Sequence, residues 1–263
     1  MVKVHQYKSR PEGFAVNSWL IETKQSLILI DCQFLVSEAT ALLEKITGLN
    51  KPLEAIFITH PHPDHFNGAG IIAKAFPAAR IIATSRTTEG ILACDGPKRE
   101  FWTPIYKSDY PPSTQYPTER LESGDSVEVA GIKFTLEDVG AGECENLSTI
   151  FLPEEQILFS SDLIYNRVHP WLAEGRSIAW LAQAAAALAK YKRVARVFPG
   201  HGDETILAGF NAIMIYICRF HQLIRENAAD EDVLKLMKAE FPSYSLENLL
   251  AYNIPAVRKE LKG

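Results

Sequence analysis

The chain has 263 residues, 47% hydrophobic and 22% charged, which excludes a disordered or collagen-like protein and suffices to bury a core without disulfide staples. A formal net charge of −5 and a pI near 5.8 offer nucleic acid or an anionic membrane no attraction, so a small-molecule substrate is the expected partner. No apolar run could span a bilayer, and the opening MVKVHQYKSRPEGF lacks the pattern of a secretion signal, so the cytoplasm is the expected location.

Taken in order, Phe14 to Ile21 predicts a first strand, SLILIDC a buried strand ending at Asp31, and SEATALLEKITG a helix capped by Ser37 and closed by Gly48. LEAIFIT predicts a strand that runs into a histidine cluster, after which FNGAGIIAKAFP has helical spacing up to Pro77. ARIIAT is a further strand. The span from Gly96 to Pro117 is rich in proline and aromatic residues without a clear period, and is expected to be a surface lid. From Asp125 the short apolar runs SVEVAG, IKFTLEDVG, LSTIFLP and QILFSSD predict an antiparallel meander closed by Asp162. SIAWLAQAAAALAKY predicts a helix with Ser177 as its cap, and RVARVFPGHG a strand that ends at His201. Three helices complete the chain: FNAIMIYICRFHQLIREN, DEDVLKLMKAEF and SLENLLAYNIPAVRKEL.

Of seven histidines, His60, His62 and His65 crowd around Asp64 in HPHPDH, on a loop stiffened by Pro61 and Pro63. A single histidine is more often a surface or capping residue, but imidazoles and a carboxylate on a tight loop after a buried strand can converge on one point, as a metal requires. The four cysteines are far apart, with no Cys-x-x-Cys pair, which argues against a zinc ribbon and a disulfide framework. His5 and His221 read as structural or exposed, and Asp31 as a strand-end turn residue or an orienting partner of a ligand.

HPHPDH after an apolar strand resembles the signature of the metallo-β-lactamase fold superfamily. NSWLIE, LILIDC, THPHPDH, FLPEEQILFSSDLI and VFPGHG follow in that family's order, from about residue 14 to about residue 205. The resemblance implies an α/β protein, a four-layer αββα sandwich, with 1–205 as the catalytic domain and 206–263 as a C-terminal helical extension packed on it. It also implies two divalent metal ions at one edge of the sandwich. His60 and His62 match first-site ligands, Asp64, His65 and His201 second-site ligands, and Asp162 the bridging carboxylate. Where the family has its third first-site histidine, this chain has Glu143, with Cys144 and Glu145 as alternative ligands and an empty first site as a further one. Zinc is the expected metal. An oxygen ligand moves the preference toward manganese or iron, whereas a Cys144 thiolate would favour zinc.

The function implied is a hydrolase in which a hydroxide shared by the two ions attacks an ester, thioester, lactone or β-lactam-like substrate, with Asp64 and Asp162 as ligands that also steady the nucleophile. The absence of a Gly-x-Ser-x-Gly elbow agrees with this. The rival from another class is an iron-dependent oxidoreductase, persulfide dioxygenase-like or diiron, motivated by Glu143. A non-catalytic remnant is a third reading, and RNA processing is disfavoured by the absence of a basic surface bias. His169 and Trp171 are candidates for the substrate pocket, and Trp102, Tyr106, Tyr110 and Trp180 for its walls. The apolar C-terminal helices are assigned two uses, capping the pocket or forming a homodimer face.

Overall fold

A computed structural model describes residues 2–263. The first sheet has six strands in chain order: β1 (Lys3–Lys8), β2 (Asn17–Glu22), β3 (Leu27–Ile30), β4 (Leu53–Phe57), β5 (Arg80–Thr84) and β6 (Glu119–Leu121). The second has five, in the order β11 (Arg196–Gly202), β10 (Ile157–Asn166), β9 (Leu147–Leu152), β8 (Ile132–Gly140) and β7 (Ser126–Val129). Strands β3 to β6 pair in parallel, as do β10 and β11, and the remaining pairs are antiparallel.

Successive side chains of a strand face opposite ways, so a strand buried on both faces must be apolar throughout. LILI of β3 shows this. Ile28 and Ile30 face the second sheet with Trp19, Phe57, Phe134, Phe159 and Phe198, while Leu27 and Leu29 face a helical layer with Leu42, Ile46 and Ile72. That layer holds α1 (Val36–Thr47), α2 (Pro63–Phe66), α3 (Ala69–Ala75) and α4 (Ser85–Tyr106). On the outer side of the second sheet lie α5 (Ser177–Lys190), α6 (Ala208–Glu226), α7 (Asp230–Glu240) and α8 (Leu250–Glu260). Their apolar faces share one cluster with Leu158, Leu163 and Val197 of the sheet. The result is the four-layer αββα arrangement with C-terminal helices.

Three local expectations are corrected. The first half of the proline-rich span, Gly96 to Tyr106, is not a loose surface lid but continues the 22-residue helix α4, with Pro97 and Pro104 inside. Tertiary contacts offset the proline cost, since Arg99 bonds Asp95, Thr114 and the Pro111 carbonyl, and Gly90 lies bare against the Pro61 ring. Ser37 does not cap α1. It lies within the helix, where its N–H and hydroxyl donate to Asp109 at 2.8 and 2.9 Å. Ser177 likewise begins α5 rather than preceding it, and Glu260 accepts from the N–H groups of Ser177 and Ile178. No helix among the described residues is long and apolar enough to cross a membrane.

Candidate metal centre

The functional side chains gather where strands of both sheets end. Beyond β4 the chain runs through Thr59, His60 and His62 into the single-turn α2, which carries Asp64 and His65. Glu143 lies in the turn before β9, and His201 near the end of β11. Asp162 sits on an irregular part of β10, where pairing with β11 jumps from Ser161↔Pro199 to Tyr165↔His201 and Ser161 takes a positive φ of 52°. That bulge turns the carboxylate into the cleft.

The distances define one continuous centre. His62 Nδ1 lies 2.9 Å from Glu143 Oε1, and His60 Nε2 lies 3.7 Å from Glu143 Oε2 and 3.9 Å from Asp162 Oδ2. His201 Nε2 is 3.3 Å from Asp162 Oδ2 and 3.4 Å from Asp64 Oδ2. His65 Nε2 is 3.4 Å from Asp162 Oδ1 and 3.5 Å from Asp64 Oδ2. Asp162 thus lies between a His60, His62 and Glu143 group and an Asp64, His65 and His201 group.

Each imidazole is held by its outer nitrogen. His60 Nδ1 meets the Ser161 and Thr59 hydroxyls at 3.0 and 3.1 Å, and His65 Nδ1 meets Asp31 Oδ2 at 2.7 Å. His201 Nδ1 donates to the Phe14 carbonyl at 2.9 Å, and His62 Nε2 faces Glu174 Oε1 at 3.3 Å. Such partners fix ring orientation and tautomer in metal-binding histidines. Asp31 takes the orienting role: it also accepts from the Thr59 N–H and hydroxyl at 2.9 and 2.8 Å.

The inner atoms are unsatisfied. His60 Nε2, His65 Nε2, Glu143 Oε2 and Asp162 Oδ1 are buried without a hydrogen-bond partner, a costly arrangement that a cation among them would relieve. The donor set of imidazole and carboxylate fits a divalent ion. Charge agrees: burial opposes ionisation of Asp162, yet the imidazoles of His201, His65 and His60 hold it well below the usual carboxylate range. Burial would likewise strip His65 of its proton, but Asp162, Asp64 and Asp31 hold that proton firmly. In the chain alone, protons supply the positive charge that a cation would bring.

Cys144 is buried, with its sulfur within 4.8 Å of the His60 and Glu143 ligand atoms. Glu145 turns outward, its side chain 74% exposed, toward Arg176. His169 lies elsewhere than expected. It is fully buried among the C-terminal helices, with Nδ1 2.7 Å from the Tyr216 hydroxyl and its ring against Tyr244. Trp171 packs on Tyr252 of α8, and Trp180 is a core residue that donates to the Leu163 carbonyl. Tyr110 is buried beneath Arg99. Trp102 and Tyr106 pack in an aromatic cluster with Phe34; Trp102 also packs on Phe14, whose carbonyl holds His201.

Burial lowers His169 to about 4. A base depressed in the folded state stabilises the fold above its unfolded value near 6.5, and that contribution is lost as pH falls toward 4. The expected loss is up to about 3 kcal/mol. Urea unfolding of the chelator-treated protein and of His169→Gln at neutral and acid pH measures it, as the parent's acid-induced loss in excess of the variant's.

Sequence reasoning missed Tyr165, whose hydroxyl donates to Asp162 Oδ2 at 2.5 Å while its ring stacks on His201, and Glu174. Tyr165 stands three residues after Asp162 on the same strand, a proximity that could have drawn notice; Glu174 left no local signal.

The model of the metallo-beta-lactamase superfamily matches residues 11–201. Metallo-beta-lactamase IND-1 of Chryseobacterium indologenes is 22% identical over 200 residues, 72% of this chain and 73% of that protein. Exodeoxyribonuclease WalJ of Streptococcus pneumoniae is 34% identical over 71 residues, 27% of this chain. The chain spans only 26% of WalJ's length in that match. A metallo-beta-lactamase structure from Pontibacter korlensis superposes with a TM-score of 0.61 at 19% identity, covering 82% of this chain and 94% of that one, a likeness of fold.

Proposed function

The chain belongs to the metallo-beta-lactamase superfamily, and from that premise we propose that it is a hydrolase of small esters, thioesters, lactones or β-lactams with a two-cation centre. The observation that carries the reading is the orientation of four imidazoles, each tied by its outer nitrogen so that the inner one faces buried carboxylates. His60, His62 and Glu143 would hold one cation, Asp64, His65 and His201 the other, with Asp162 between them.

Bound divalent cations supply Lewis acidity toward the scissile oxygen and make water nucleophilic near neutral pH. The chain does the rest. The Tyr165 hydroxyl holds one oxygen of Asp162, fixing the direction of the other. Asp64, the more accessible carboxylate with 15% of its side chain exposed, stands where it can accept a proton from water and pass it to a leaving group. Glu143 in place of an imidazole lowers the net charge of the centre and hardens it, so manganese and iron compete better with zinc.

Two histidines and one carboxylate also form the set used by non-haem iron, which favours an iron-dependent oxidoreductase as the second reading. Elemental analysis of the purified protein, with a screen of ester, thioester, lactone, β-lactam and single-stranded DNA substrates, separates these. Two divalent equivalents with hydrolysis of one of the small substrates are expected, and Glu143→Ala should retain one equivalent. Stoichiometric iron with oxygen consumption, or turnover of DNA alone, would overturn the proposal, as would an Asp162→Ala variant with unchanged metal content.

A further inference from the structure

The outer nitrogens of His60, His65 and His201 are held by the Thr59 and Ser161 hydroxyls, Asp31 and the Phe14 carbonyl, all set by the sheets and the loops beside them. His62 differs. Its partner Glu174 lies on the loop 167–176 between β10 and α5, with 31% of its side chain exposed.

That loop is fastened from the C-terminal side. Val168 bridges Ser245, with His169 N–H donating to the Ser245 carbonyl at 3.0 Å and Ser245 N–H to the Arg167 carbonyl at 3.2 Å. Asn253, fully buried on α8, accepts from Leu172 N–H at 2.8 Å and donates to the Pro170 carbonyl at 2.7 Å. Leu172 is buried in the same cluster as Leu250, Ile254 and Val257, and Glu260 holds the N–H groups at the loop's exit. All these anchors lie beyond residue 201, where the family match ends.

We infer that α8, through Asn253, holds the loop so that Glu174 is a positioning residue for His62, making the C-terminal extension part of the first cation site. For Nδ1 to offer its lone pair to a cation that Glu143 also holds, the ring proton must sit on Nε2, and an acceptor there fixes both tautomer and ring angle. Glu174 is that acceptor. The inference rests on His62 being a ligand, as the proposed function has it.

The test measures zinc affinity by competition with a chromophoric chelator, for the parent protein and for Glu174→Ala, Glu174→Gln, Asn253→Ala, the double variant Glu174→Ala with Asn253→Ala, and His62→Ala. Glu174→Ala and Asn253→Ala should each weaken one of two equivalents about tenfold or more, with the other equivalent and the melting temperature of metal-free Glu174→Ala unchanged, and Glu174→Gln, which keeps an acceptor oxygen, should lose less. The double variant should bind no more weakly than Glu174→Ala, because Asn253 acts through Glu174. Asn253→Ser, which keeps a small polar side chain, covers the case in which Asn253→Ala does not fold. Parent-like affinity in Glu174→Ala alongside a weakened His62→Ala would overturn the inference alone, and additive losses in the double variant would overturn the role of α8. Parent-like affinity in His62→Ala would remove the ligand reading beneath both.

Discussion

A chelator should lower the melting temperature of the purified protein by about 8–16 °C. A cation held about a thousandfold below its working concentration stabilises the folded state by about 4 kcal/mol, and a chain of this size moves by about 2–4 °C per kcal/mol. The structure indicates why the folded state alone would bind: His60 Nε2, His65 Nε2, Glu143 Oε2 and Asp162 Oδ1 are already buried and converged, and they lack partners. In the unfolded chain Glu143 and Asp162 are far in sequence from HPHPDH, so no comparable site survives there. Calorimetric scans with and without chelator, repeated at increasing zinc, measure the effect. The midpoint should climb with the logarithm of free metal, whereas a midpoint indifferent to both chelator and zinc would show that the centre holds no cation tightly.

What the sequence made legible follows from range. LILI, LEAIF and ILFSSD are apolar enough to reveal buried strands, and HPHPDH carries its ligands within a few residues of one strand end, so both could be read locally. Helix α4 could not, because Pro97 and Pro104 interrupt its pattern and its support comes from Pro61, Pro111, Thr114 and Tyr116, through Gly90, Arg99 and Asp95. The cap of α1 is hidden for a similar reason: Asp109, 72 residues from Ser37, supplies the acceptor that the local sequence assigns to Ser37 itself. At the centre, Glu143 could be reached only by aligning positions with a family, since the turn GAGECEN has no periodicity of its own. Glu174, and the Phe14 carbonyl that holds His201, could not be reached at all, because their roles exist only after the sheets have paired and the C-terminal helices have closed over the loop. His169 shows the opposite error, in which nearness in sequence to Asp162 suggested a pocket although the chain beyond β10 turns into the helical layer.

Gly200→Ala should abolish the centre while leaving the fold in place. A Cβ at residue 200 would lie 1.8 Å from Asp162 Oδ1 and 3.1 Å from His65 Cε1, a clash that only movement of the carboxylate can relieve. Gly200 does not adopt the left-handed backbone that disfavours side chains, so the cost falls on the contact rather than on backbone strain. The register explains the crowding: between Ser161↔Pro199 and Tyr165↔His201, three residues of β10 are accommodated opposite the single Gly200 of β11, and the first of them is Asp162. Any side chain at that point occupies the volume into which the bulge directs the carboxylate. Swinging Asp162 away would also break its bond from Tyr165 and separate the two ligand groups that it joins. If the cations supply several kcal/mol of charge stabilisation to the transition state, their loss lowers turnover about a thousandfold. Elemental analysis should find at least one equivalent missing, with the far-ultraviolet circular dichroism of the parent retained. A variant that keeps both equivalents and parent-like turnover would mean that Asp162 does not stand between the cations.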